Sequence, residues 1–121
     1  MQKNKGIVRL FRAFKYSIAG FAAALKNEAA FRQEIALGVP LCVLAAFLDV
    51  PPLGKCALIC SIFAVWIVEL INSAIEECVN LASPGMHPYA KRAKDMASAA
   101  VFLAIASAII VWTAVLLPDY F

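Results

Sequence analysis

The stretch that decides the fold is Met96–Leu117, MASAAVFLAIASAIIVWTAVLL, which contains 22 residues and no charged side chain. As a helix it would be about 33 Å long, enough to cross the hydrocarbon core of a bilayer. The whole chain agrees with this, because 64% of its 121 residues are hydrophobic and only 16% are charged, against about 25% charged in a typical soluble domain. A small soluble domain has too little interior for so much apolar surface. The composition therefore predicts an integral membrane protein and excludes a disordered chain.

Two further apolar segments precede this one, and proline residues separate the three. Pro51, Pro84 and Pro118 each follow shortly after an apolar run, where a helix is expected to end. Each run is long enough to cross a membrane. We therefore predict an all-α membrane protein, a single domain over residues 1–121, with three transmembrane helices at about residues 28–48, 55–81 and 90–117.

The N-terminal segment indicates a different kind of helix. Its apolar residues recur every three or four positions, and Lys5, Arg9 and Arg12 fall on another side of the same helix. A basic helix with aromatic residues on its apolar face suits a membrane surface. We predict such an amphipathic surface helix over about residues 5–26, with this apolar stripe: Ile7, Phe11, Phe14, Ile18, Phe21 and Leu25.

The distribution of lysine and arginine predicts the orientation of the chain. The net charge of +3, from 11 Lys+Arg and 8 Asp+Glu, does not indicate a nucleic-acid partner. Three spans place the N-terminal segment and the 82–95 loop on the same side of the membrane. That side holds ten of the eleven basic residues, Lys55 being the exception. The positive-inside rule therefore predicts a cytoplasmic N-terminus and a C-terminus on the outer face.

A polar stripe runs along the second predicted span. Glu69, Asn72, Ser73 and Glu76 stand at i, i+3, i+4 and i+7 and so share one helix face. Glu69 lies about 10 Å deeper along the helix than Glu76, where an unpaired charge costs about 2.5–3.5 kcal/mol or more. A seam of hydrogen bonds between helices would explain Asn72 and Ser73, but two acids on one stripe repel each other. We favour a functional role for the acids.

Three acids from three segments are predicted to meet at the cytoplasmic edge of the membrane. Glu28, Glu76 and Asp95 carry hard oxygen ligands, which suit Mg²⁺ that also binds phosphate oxygens. Together with a buried carboxylate, they indicate phosphoryl transfer to a lipid. The soluble-kinase motifs GxxxxGK[ST] and GxGxxG are absent from the sequence. Four basic residues belong to the same layer: Arg9, Lys91, Arg92 and Lys94.

Two other classes of protein explain fewer of these residues. A small proton-coupled transporter would also use an intramembrane glutamate, but it would not need the acids and the basic residues at the interface. A structural or pore-forming membrane protein would leave Glu69 unexplained.

Three motifs resemble those of the prokaryotic diacylglycerol kinases, a family of small integral-membrane enzymes. Glu69–Glu76, ELINSAIE, closely resembles the family hallmark. Asn27–Glu34, NEAAFRQE, is similar to its first-helix motif, and Arg92–Val101, RAKDMASAAV, to its third-helix motif. The motifs occur in the family order over nearly the whole chain. Asn80 and Ala97 stand where the family usually has an aspartate and a glycine.

The resemblance implies a homotrimer in the bacterial inner membrane, with active sites shared between neighbouring subunits. It implies ATP as cosubstrate, Mg²⁺ as the metal, diacylglycerol as the acceptor and phosphatidic acid as the product. An undecaprenol kinase of the same fold is the nearest alternative, and the Asn27–Glu34 motif is the main reason to prefer diacylglycerol.

The resemblance also implies roles for individual residues. Glu69 would be the general base, Asn72 would support it in catalysis, and Glu28 with Glu76 would bind the metal. The nucleotide would contact Arg9, Tyr16, Glu28, Glu76, Gly85, Met86, His87, Lys94 and Asp95. The lipid substrate would contact Ser17, Ala30, Phe31, Arg32, Gln33, Glu34, Asp49, Lys55, Glu69, Ser98 and Trp112.

Overall fold

The computed structural model describes residues 2–121 and the side chains from Lys5 onward. Met1 and the side chain of Lys3, one of the basic residues counted above, lie outside that part. The described residues form four α-helices and a closing 3-10 turn, and no β-strand occurs among them. Three of the helices are long and apolar enough to cross a membrane, which confirms the predicted all-α membrane protein. The elements are α1 (Gln2–Asn27), α2 (Ala29–Phe47), α3 (Pro52–Ala82), α4 (Pro88–Leu116) and the turn Pro118–Tyr120.

Local sequence explains where these helices begin. Glu28 adopts an extended backbone conformation (φ −117°, ψ 107°) and so separates α1 from α2. Pro52 and Pro88 each stand at a helix N-terminus, where the missing N–H is harmless and the fixed φ suits a helix. His87 caps α4, because its Nδ1 accepts a hydrogen bond from the Tyr89 backbone N–H at 3.1 Å.

Helix α3 lies at the centre of the subunit. It packs most extensively on α4 and then on α2, whereas α1 contacts chiefly α2. The buried side of α3 carries Leu58, Ile62 and Val65 and continues into Glu69 and Ser73. The small interior of this bundle therefore includes a carboxylate.

One glycine permits the close approach of α2 to α3. A Cβ atom at Gly38 would lie 2.6 Å from Cζ2 of Trp66 and 2.8 Å from Cγ2 of Ile62. The indole of Trp66 also donates a hydrogen bond from Nε1 to the backbone oxygen of Glu34, at 2.9 Å. Trp66 thus ties α3 to the first turns of α2.

Two basic side chains join consecutive helices at their ends. The Arg32 guanidinium donates to the backbone oxygens of Leu25 (2.9 Å) and Lys26 (3.0 Å), the last turn of α1. Nζ of Lys55 donates to the backbone oxygen of Ala46 at 3.0 Å, near the end of α2. Both cations occupy favourable positions, since a helix C-terminus carries unpaired carbonyls and partial negative charge.

Many large apolar side chains lie on the outside of the subunit. Phe102 is 72% exposed and Phe47 is 84% exposed, and similar residues occur on every helix. An apolar surface of this extent requires lipid or further protein around it. The homotrimer and the membrane-surface position of α1 stay predictions.

Candidate functional site

The site is built around a buried carboxylate on α3. Glu69 is only 4% exposed, and Ser73, one turn further along, is 7% exposed. Both lie on the face of α3 that points into the bundle, while Asn72 and Glu76 beside them are half-buried. A glutamate is almost never buried to this degree without a partner.

The amide of Asn72 adds an unsatisfied acceptor to this stripe. Its Oδ1 atom is buried and has no hydrogen-bond partner in the described part of the chain. A buried acceptor left unpaired costs about 1–3 kcal/mol. The described residues therefore supply neither a hydrogen-bond donor nor a cation to the Asn72 oxygen.

Three further carboxylates contribute to the electrostatic environment of Glu69. The negative charges of Glu34, Glu76 and Glu28 act on its carboxylate. Within the described residues, the only ion pair closer than 4 Å joins Lys91 to Asp95. The cluster Glu28, Glu34, Glu69 and Glu76, here called the acid cluster, thus concentrates negative charge with no cation in contact.

The residues fit a magnesium ion only if other ligands complete its shell. The described residues contain no group of three His, Cys, Asp or Glu side chains close enough to hold a metal by themselves. Mg²⁺ is commonly bound by one or two carboxylates, with waters and substrate phosphates as its other ligands. Two half-buried glutamates and an unsatisfied amide oxygen suit that kind of site.

A groove of about 610 Å³ lies between α1 and α3, beside the acid cluster. Two residues of the predicted site line it, Ser17 and Glu28. Asn27, Ser73 and Glu77 line it as well, although the sequence assigned none of them to the site. Helical spacing could have indicated Ser73 and Glu77, since they stand at i+4 and i+8 from Glu69 on one helix.

A second cavity, of about 680 Å³, lies where the loop between α3 and α4 folds over the helix ends, and we call it the loop cavity. Gly85, Met86, His87 and Lys94, four residues predicted to contact the nucleotide, all line it. Asn80 lines it too, and its Oδ1 accepts a hydrogen bond from Nζ of Lys94 at 2.7 Å.

Asp95 belongs to the same end of α4 but is held by another lysine. Nζ of Lys91 lies 2.6 Å from Oδ2 of Asp95, one turn apart on an exposed face. Because Asp95 is paired with Lys91, Lys94 forms its hydrogen bond with Asn80 and not with Asp95.

An apolar groove of about 390 Å³ lies among α2, α3 and α4. Glu34 and Trp112, both predicted to contact lipid, line it together with Trp66. The indole of Trp112 donates from Nε1 to Oγ of Ser61 at 3.0 Å, so its polar edge is already bound within the subunit. The sequence did not single out Trp66, although its position three residues before Glu69 puts it on the same side of the helix.

Several residues that the sequence assigned to the site line none of the three cavities described above. Arg9 and Tyr16 are exposed on α1, about 28 Å and 18 Å along the helix from Glu28. Asp49 and Lys55 are at the opposite end of the bundle, Lys55 being about 21 Å along α3 from Glu69. Ala30, Gln33 and Ser98 are exposed and line none of the three cavities.

Two residues predicted to contact the lipid also make contacts between α1 and α2. Phe31 is fully buried and its ring stacks against Phe21, with 6.3 Å between the centroids. Arg32 is occupied by the carbonyls at the end of α1. Both side chains thus connect α1 to α2.

Comparison with known proteins assigns the family. Residues 15–116 match the family described as prokaryotic diacylglycerol kinase. A diacylglycerol kinase of Pseudomonas aeruginosa is 45% identical over 112 residues, which cover 93% of this chain and 91% of that protein. One from Escherichia coli K12 is 46% identical over 107 residues (88% of each), and one from Helicobacter pylori J99 is 41% identical over 119 residues (98% and 93%). In agreement with the three sequence motifs, this chain belongs to the prokaryotic diacylglycerol kinase family.

Proposed function

We propose that this protein transfers the γ-phosphoryl group of ATP to the free hydroxyl of diacylglycerol, producing phosphatidic acid. The observation that carries the proposal is the burial of Glu69 on a membrane-length helix, within a cluster of acids and without a contacting cation among the described residues. Membership in a family of kinases supports ATP as the phosphoryl donor. A lipid acceptor fits a base placed at membrane depth, since the acyl chains can remain in the bilayer while the hydroxyl reaches the carboxylate.

Glu69 is the proposed general base. A lipid hydroxyl is a weak nucleophile, and a positioned base that takes its proton during attack on phosphorus contributes about 10²–10⁴ in rate. The acceptor oxygen would then bond to the γ-phosphorus as the bond to the ADP oxygen breaks. Asn72 would accept a hydrogen bond in the same site, which would satisfy its buried Oδ1 atom.

Glu28 and Glu76 are the residues proposed to hold Mg²⁺. A bound Mg²⁺ would neutralise charge on the ATP phosphates during transfer. Glu28 stands immediately before α2, and Glu76 lies in the last turns of α3. The two carboxylates therefore come to the acid cluster from different helices. They would orient the nucleotide above Glu69, so that donor and acceptor lie along one face of α3.

The loop cavity is the proposed site for the phosphates and nucleoside of ATP. Lys94 supplies a cation there, and the loop residues Gly85, Met86 and His87 supply its wall. Asp95 lies beside the cavity on α4. Arg9 and Tyr16 would complete the site from α1.

The complete site is proposed to form between subunits of a homotrimer. Support comes from Arg9 and Tyr16, which are remote from Glu28 along their own helix, and from the many exposed apolar side chains of the bundle. The lysine and arginine distribution supports a bacterial inner-membrane location with a cytoplasmic N-terminus and a periplasmic C-terminus. ATP would then approach from the cytoplasm.

Reconstituted protein tests this function directly. Purified protein in lipid vesicles receives Mg-ATP labelled in the γ-position, with either diacylglycerol or undecaprenol as acceptor. We expect labelled phosphatidic acid and little labelled undecaprenyl phosphate. Preferential labelling of undecaprenol would assign the other lipid substrate, and labelling of neither lipid would refute kinase activity.

A further inference from the structure

One side-chain contact connects α3 to α4 inside the loop cavity. Asn80 lies in the last turn of α3, and its Oδ1 accepts a hydrogen bond from Nζ of Lys94, in the second turn of α4, at 2.7 Å. Both residues line the cavity. The contact therefore sets the position of the Lys94 ammonium relative to the loop.

The amide fixes this ammonium without neutralising its charge. An asparagine oxygen is an uncharged acceptor, and it occupies one of the three N–H donors of the lysine. No carboxylate described in the structure lies within 4 Å of Lys94, whereas the neighbouring Lys91 is paired with Asp95 at 2.6 Å. Lys94 is therefore not paired with a carboxylate among the described residues, and two of its three donors are left for a further ligand.

We propose that Asn80 is a positioning residue for nucleotide binding, which holds the Lys94 ammonium in the orientation that receives phosphate oxygens of ATP. The inference rests on the proposed function, in which the loop cavity binds ATP. A lysine side chain has four rotatable bonds, and fixing it beforehand reduces the conformational entropy lost when phosphate binds. Asn80 acts through Lys94 and does not touch the reacting atoms.

Steady-state kinetics of the reconstituted protein test this role. Asn80→Leu removes the acceptor with little change in size, so we expect the KM for Mg-ATP to rise by roughly two- to fivefold. The KM for diacylglycerol and kcat should stay within about twofold of the wild type, because the substituted residue is exposed and lies away from the acid cluster. Asn80→Gln keeps an uncharged amide acceptor and should retain a KM for Mg-ATP closer to that of the wild type than Asn80→Leu does. Cys78→Ala, an exposed change on the same helix outside the cavity, serves as the matched control.

A double-mutant cycle with Lys94→Met separates the role of Asn80 from the assignment of the loop cavity to ATP. Lys94→Met should raise the KM for Mg-ATP by about tenfold, and adding Asn80→Leu should then change nothing further. If Lys94→Met raises this KM but Asn80→Leu does not, or if the two effects add, the role of Asn80 is refuted and the nucleotide site stands. If Asn80→Gln behaves like Asn80→Leu, positioning by an amide acceptor is also refuted. A Lys94→Met variant with an unchanged KM would overturn the assignment of the cavity to ATP, and this inference with it.

Discussion

The burial of Glu69 is hard to explain as a contribution to the stability of the folded protein. This residue is 4% exposed on an apolar helix, and its electrostatic neighbours are three other acids. Like charges that act on one another in an apolar setting oppose folding. A ligand cation, a proton or a substrate hydroxyl would each relieve this cost, and all three take part in the proposed reaction.

Glu69→Gln should leave a folded protein and abolish phosphoryl transfer. Glutamine has nearly the same size and can hydrogen-bond, but it cannot take the proton of the lipid hydroxyl. We expect kcat to fall by about 10²-fold or more, measured as labelled phosphatidic acid per minute in vesicles, with the helical circular dichroism spectrum unchanged. Activity within a few-fold of the wild type would refute the base assignment.

Glu28→Gln and Glu76→Gln test the proposed metal ligands. Each change removes one negative oxygen ligand from the acid cluster, so activity should fall and the Mg²⁺ concentration for half-maximal activity should rise, by about tenfold or more. The measurement is a Mg²⁺ titration at fixed total ATP. Asp119→Asn is a control, because Asp119 is an exposed acid in the closing turn that lines none of the three cavities and belongs to no proposed ligand set. Unchanged Mg²⁺ dependence in both variants would show that the metal is held elsewhere.

At the scale of elements, the contact between α2 and α3 depends on Gly38. A methyl group there would overlap the Trp66 indole, which also hydrogen-bonds the Glu34 backbone on α2. The crossing of these helices sets how close Glu34 comes to Glu69.

Gly38→Ala should destabilise the protein by about 1–3 kcal/mol, the usual cost of overpacking a core. The measurement is the midpoint of thermal unfolding in detergent, followed by circular dichroism. Gly6→Ala is the matched control, because a Cβ atom at Gly6 on α1 would meet nothing within 4 Å. That control should leave the midpoint unchanged or raise it slightly, as alanine favours a helix over glycine. If Gly38→Ala and the wild type unfold at the same midpoint, α2 and α3 can move apart to accept the methyl group at little cost in stability.

Helix α1 is proposed to contribute both to ATP binding and to membrane contact, and two substitutions separate these roles. Arg9→Ala should raise the KM for ATP several-fold with little effect on lipid dependence, because a guanidinium binds phosphate by charge-assisted hydrogen bonds. Phe14→Asp puts a charge on the apolar stripe, which opposes insertion into the membrane surface, so it should impair lipid use more than ATP use. Both KM values are measured in mixed micelles. If the KM for ATP is unchanged in Arg9→Ala, α1 does not bind ATP through Arg9 and serves only as a membrane anchor.

At the scale of the whole molecule, the exposed apolar surface indicates what surrounds the subunit. Residues such as Phe102 on α4 and Phe63 on α3 are mostly exposed, and in water they would drive aggregation. In a bilayer these faces contact lipid or neighbouring subunits. The proposed orientation places the acid cluster and the loop cavity together at the cytoplasmic end.

Cysteine labelling tests the orientation. The four free cysteines, Cys42, Cys56, Cys60 and Cys78, are first replaced by alanine. In intact cells, an impermeant thiol reagent should leave Lys5→Cys unlabelled and should label Asp119→Cys, because ten of the eleven basic residues mark the first side as cytoplasmic. Breaking the cells should make Lys5→Cys reactive. The opposite pattern would invert the topology and move the acid cluster to the outer face.

The membrane class, the number of long apolar helices and the family could all be predicted from the amino-acid sequence. These properties follow from local information: the uncharged stretch Met96–Leu117 fits a bilayer whatever it packs against, and Glu69–Glu76 reads as a polar stripe from helical spacing alone. The burial of Glu69 was also foreseeable, because a charge in an apolar run must avoid lipid by facing protein.

The contacts between side chains of different helices could not be predicted in this way and required the packed structure. The Asn80 contact with Lys94 and the position of Trp66 against Gly38 join residues at least 14 positions apart. The tie between Arg32 and the end of α1 depends on the bend at Glu28. Helical periodicity gives the face on which a residue lies, but the crossing angle and rotation of the packed helices determine what that face touches. For that reason the contacts of Phe31 with Phe21 and of Arg32 with the end of α1 could not be read from the sequence, whereas the lipid contacts of Phe31 and Arg32 stay predictions.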